Sequence, residues 1–130
     1  MKIPINKKPE EMCFEDREVK CIDACKALLA ECIIFEKGHK NKPDKVDLVR
    51  LVKICSKSCR DLIADECSAI NLLQDCAKAC DNLISECVNH DVQYCLTIDE
   101  NCRKCRDLCN ALINATIWII IKAKNNSDNI

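Results

Sequence analysis

One frame recurs along the chain and limits what it can fold into. Residues 21–32 read CIDACKALLAEC and residues 76–87 read CAKACDNLISEC, both C-x3-C-x2-L-[LI]-x-x-C. Residues 55–67, CSKSCRDLIADEC, keep the frame with one extra residue before the last cysteine. Residues 105–116, CRDLCNALINAT, place Thr116 where a third cysteine would stand. Four copies imply four similar structural units, each too short to fold alone, which must pack on one another.

Spacings of four and seven are helical spacings. At about 100° per residue, Cys76, Cys80 and Cys87 fall within a narrow arc that also holds Leu83, and Cys21, Cys25, Cys32 and Leu28 repeat it. Cys95, Cys102, Cys105 and Cys109 share one arc of a fourth helix. The charged residues take the opposite side, so the thiols lie on the stripe that faces a core. Cys67 drifts about 120° from Cys55 because of the extra residue, and Cys13 lies about 80° off Cys21, toward one mouth.

The remaining composition agrees with helices. A single glycine, three prolines and four aromatics leave too few turn and strand formers for a β fold. The periodicity predicts one helix from about Glu10 to Lys37, stopped at Gly38, and a second from Pro43 and Asp44 to near Cys67. A third, capped by Ser68 or Asn71, runs to Val88, and a fourth runs from about Asp91 to Lys122. Short connections make neighbours antiparallel, hence an all-α, up-down-up-down four-helix bundle with cysteines lining the core. Residues 1–9 are expected as a short N-terminal segment, 10–123 as the bundle and 124–130 as a disordered polar tail.

Charge and hydropathy remove several functions. Twenty basic residues against 21 acidic ones give no electrostatic footprint for nucleic acid. The longest apolar run, IWIII at 117–121, falls far short of the ~20 residues that a membrane span needs. MKIPINKKPEEM has no apolar h-region, so a cytoplasmic, reducing compartment is expected, with the thiols free.

Fourteen cysteines then need a purpose. Simple packing explains a few buried thiols, not a regular stripe of them. Cβ atoms one helical turn apart are ~5–6 Å from each other, too far for a disulfide within a helix, although bridges between helices stay open. Two sulfurs at that separation suit a soft ion held between them, and thiolates select Cu(I), Zn(II) or iron–sulfur clusters. A dry core resists net charge, so one monovalent ion per thiolate, with sulfurs bridging, is favoured over a Zn(II) tetrathiolate. An iron–sulfur cluster asks for a compact run of four cysteines, and CRKCRDLC supplies three. Many Cu(I) ions in a thiolate-lined tube fit these constraints best, with no catalytic turnover. Two alternatives remain: a disulfide-stapled structural or interaction protein, and a small metal or redox site limited to Cys102, Cys105 and Cys109.

The C-x3-C pairs at 21/25, 55/59, 76/80 and 105/109, with NCRKCRDLC at 101–109, resemble the copper storage proteins, a family of cysteine-lined four-helix bundles. The resemblance covers about residues 13–116. It implies many Cu(I) ions in the interior, a homotetramer and, for members without a signal peptide, a cytosolic place. It makes Cys13, Cys21, Cys25, Cys32, Cys55, Cys59, Cys67, Cys76, Cys80, Cys87, Cys95, Cys102, Cys105 and Cys109 the expected copper ligands. His90, before the fourth helix, and Met12, beside Cys13, are candidate soft ligands where metal enters.

Overall fold

The computed structural model describes residues 14–39, 46–88 and 93–128. They form four helices and no strand: α1 (Phe14–His39), α2 (Val46–Ala64), α3 (Ile70–Val88) and α4 (Gln93–Asp128). Glu15 and Asp16 in the first turn of α1, and Asp47 in that of α2, set negative charge against the positive helix ends. α1 runs through Gly38 to His39 instead of stopping at the glycine. A Cβ built on Gly38 would meet nothing, so no packing forces the chain to turn there. α4 is also longer than the periodicity predicts, continuing past Lys122 to Asp128. KAKNNSD contains neither glycine nor proline, and extending a formed helix adds one hydrogen bond per residue fixed.

Each helix packs on the next, and α4 returns to α1, closing a ring of four sides. Diagonal pairs scarcely touch. The axis is thereby left to side chains, and every helix presents its apolar stripe to it. Sulfur contacts run in opposite order along α1 and α4, as an antiparallel pair requires: Cys21 meets Cys109, and Cys25 meets Cys105. Leucine at the same offset of each repeat, Leu28, Leu62, Leu83 and Leu112, is fully buried. Outside, Lys57 pairs with Asp61 and Arg103 with Asp99 along single helices, and Arg106 reaches Asp81 from α4 to α3 at 3.1 Å. Such exposed pairs stabilise little and mainly keep the outer face wet.

The connection between α2 and α3 does more. The Cys67 N–H donates to the Leu62 carbonyl (2.9 Å) and the Glu66 N–H to the Ile63 carbonyl (3.2 Å), a Schellman end to α2. Glu66 (φ 58°) and Cys67 (φ 56°) both take the left-handed conformation. Neither Ser68 nor Asn71 caps α3 as the sequence suggests. The Asp65 carboxylate instead accepts the Ser68 (3.1 Å) and Ala69 (2.7 Å) N–H groups, and Ala69 offers its carbonyl to Leu73 (3.1 Å). The Ala69 and Ser68 bonds hold the Asp65 carboxyl below its ordinary range. A left-handed residue with a side chain is strained, and Glu66 is exposed with its side chain free to be removed. Glu66→Gly is expected to stabilise the metal-free protein by about 1 kcal/mol, read as a higher urea midpoint with an unchanged slope.

Candidate metal centre

Twelve cysteines converge on the axis. α1 supplies Cys21, Cys25 and Cys32, α2 Cys55 and Cys59, the following turn Cys67, α3 Cys76, Cys80 and Cys87, and α4 Cys102, Cys105 and Cys109. All twelve are buried and all are free thiols. Sulfurs approach to 3.7–3.8 Å across helices, between Cys25 and Cys105, Cys76 and Cys105, and Cys21 and Cys109. A disulfide bond is ~2.05 Å, so the described thiols approach one another without bonding.

Nine of these sulfurs fall into three groups, and within each group all members lie within 4.8 Å of one another. Cys25, Cys59, Cys76 and Cys105 form a quartet with one thiol from each helix. Cys21, Cys25 and Cys67 form a triad on one side of it, and Cys55, Cys80 and Cys102 a triad on the other. Cys25 belongs to both the first triad and the quartet, so the groups make a column and not isolated pockets. Cys32 stands beside Cys55 at the second triad's end.

Protons are held tightly here. Contacts with Cys105 and Cys25, with burial adding to them, push the Cys59 thiol far above its ordinary value; Cys102 and Cys105 do the same to Cys80. Contact with Cys55, followed by burial, raises Cys32. Cys105 and Cys76 move down through contacts with neighbouring sulfurs, Cys109 foremost for Cys105 and Cys105 foremost for Cys76. A thiolate in this core survives only where neighbours donate to it, and any larger number of thiolates needs positive charge brought in from outside. Soft cations supply that charge, and ligand deprotonation couples their binding to proton release.

The structure repositions some of the residues that the sequence singles out. Cys67 does not drift away with the helical phase of α2: α2 stops at Ala64, and the left-handed turn returns the thiol to the axis beside Cys21 and Cys25, only 1% exposed. Thr116, which stands where the frame would place a third cysteine, donates its hydroxyl to the Leu112 carbonyl at 2.8 Å. Cys102, Cys105 and Cys109 do not form a separate site. Cys102 joins the second triad, Cys105 the quartet, and Cys109 faces Cys21. Met12, Cys13 and His90 lie outside the described residues, and of Cys95 only the helical backbone is described.

One residue escaped the sequence reading. Ser56 is the only buried polar side chain among the described residues, and its hydroxyl has no hydrogen-bond partner. It stands beside Cys32. Its position directly after Cys55 was the available signal, since a serine at that phase points partly toward α1.

The family model described as copper storage protein matches residues 6–114, most of the chain. No curated protein and no solved structure shows significant similarity to it.

Proposed function

The chain belongs to the copper storage protein family, and from that membership we propose that the copper it stores is Cu(I), bound by the core cysteines as bridging thiolates. The observation that carries this reading is the column of twelve buried, free thiols contributed by all four helices. Monovalent ions in equal number to thiolates leave a neutral interior, which a dry core tolerates. Trigonal and digonal sulfur sets suit Cu(I), and the triads offer them along the axis. The bundle acts as a rack and turns nothing over. Because Cu(I) and free thiols both need reducing surroundings, a cytoplasmic location supports the same chemistry. The sulfur register likewise supports up-down-up-down order for all four helices.

An anaerobic titration of the fully reduced protein against a chromophoric Cu(I) chelator tests this. Many tightly held ions are expected, on the order of one per core cysteine, with protons released as they bind. A plateau at one or two ions would overturn the storage column.

We further propose that the protein self-associates through the far end of α4. Ile117, Trp118, Ile119, Ile120 and Ile121 are all exposed, Trp118 at 60%. Five successive helical residues sweep about 400° around the helix axis, more than one turn, so no single face of the same bundle can cover them. α1 begins at Phe14, α2 ends at Ala64 and α3 begins at Ile70, so none of these described helices runs alongside the segment. Overhangs from several copies packed together would bury it, in keeping with a homotetramer. Light scattering is expected to show an oligomer that Trp118→Lys with Ile121→Lys reduces to monomers. A monomeric unmodified protein would overturn self-association through this segment.

A further inference from the structure

The quartet differs from the triads in kind, because four sulfurs from four helices can enclose an ion completely. A tetrahedral site with metal–sulfur bonds of ~2.3 Å has its sulfurs ~3.8 Å apart. Cys25 and Cys105 stand at 3.7 Å and Cys76 and Cys105 at 3.8 Å, with Cys59 inside the same 4.8 Å limit. Among the described residues no other set of four meets that limit. We propose that Cys25, Cys59, Cys76 and Cys105 form a closed tetrahedral site for one divalent thiophilic ion of the Zn(II) or Cd(II) class, a second cargo that occupies the centre of the column when Cu(I) is scarce. The proposal rests on the reading of these thiols as a reduced, metal-accessible column.

The charge objection to such a site is met locally. Four thiols bind the ion and release four protons, leaving a complex of charge −2 in the core. Further thiols surround it: Cys109 lies against Cys105 and Cys76, Cys21 against Cys25, Cys55 against Cys59, and Cys80 against Cys76. Hydrogen bonds from such donors to metal-bound sulfur are the outer support that a charged thiolate centre requires. The triads lack the fourth sulfur and cannot close around a tetrahedral ion. Cu(I), which leaves the interior neutral, displaces the divalent ion as it fills the column.

The test uses the full, reduced chain under anaerobic conditions with Co(II) and Cd(II) as probes. One Co(II) per chain is expected, with the intense visible bands of tetrahedral thiolate coordination, displaced on adding Cu(I). Cys59→Ser and Cys76→Ser are each expected to weaken or shift those bands, whereas Cys32→Ser, outside the quartet, keeps them. Circular dichroism of the metal-free variants separates ligand loss from loss of fold. No uptake of Co(II) or Cd(II) by a protein that still binds many Cu(I) ions would overturn the inference and leave copper storage intact. Several Co(II) ions per chain, or tetrathiolate bands that survive in both quartet variants, would also overturn it. Failure to bind either Co(II) or Cu(I) would remove both readings together.

Discussion

Filling the reduced protein with Cu(I) is expected to raise its melting temperature by roughly 30 °C or more. A ligand that binds only the folded state stabilises it by about 4 kcal/mol when its free concentration is a thousand times its dissociation constant. Two such ions already contribute about 8 kcal/mol, comparable with the ~5–15 kcal/mol that holds an ordinary domain together. The unfolded chain keeps its cysteines but loses the arrangement that brings four helices to one axis, so its affinity is far lower. Calorimetry on the apo and loaded forms, both kept free of oxygen, measures the difference. Acidification is expected to erase it, because each ligand must lose a proton that the core holds tightly, as at Cys59 and Cys80. Equal melting temperatures at neutral pH would place the copper outside the core.

The largest effect expected from a single substitution is at Leu62. Its side chain is fully buried, and its carbonyl accepts the Cys67 N–H that closes the Schellman turn. Leu62→Ala should destabilise the metal-free protein by about 2–5 kcal/mol through lost burial and an unfilled cavity. The loss acts at the end of α2 where Cys67 is held against Cys21 and Cys25, so the first triad should loosen along with the fold. Urea denaturation of the reduced protein gives the stability, and Cu(I) capacity measured in the same variant gives the coupling. Restored melting on copper loading would show that the ions take over part of the packing that leucine supplied. A change below about 1 kcal/mol would mean that the bundle closes around the gap. Glu66→Gly, four residues on, is expected to act in the opposite direction, since it relieves a backbone and leaves the core untouched.

The thiol stripe was legible from residues alone. Spacings of four and seven put Cys21, Cys25 and Cys32 on one face of α1 and Cys76, Cys80 and Cys87 on one face of α3, whatever the helices pack against. A helix cannot leave such a stripe in water beside a face of lysines and glutamates, so burial of the cysteines followed as well. Helix ends were less legible. Gly38 and the polar run after Lys122 read as stops, but a helix end is decided by whether packing or capping makes stopping favourable, and a Cβ at Gly38 would meet no packing among the described residues.

Sequence by itself therefore determined the helices, the buried face and the soft-metal chemistry, because each depends on local geometry and residue type. Only the tertiary structure decided which sulfurs meet. Contacts such as Cys25 with Cys105, or Cys76 with Cys105, depend on the heights at which four helices lie beside one another, and no wheel drawn for one helix contains that information. Cys67 is the clearest case: its phase along α2 sends it away from the axis, and two left-handed residues held by hydrogen bonds to Leu62 and Ile63 bring it back.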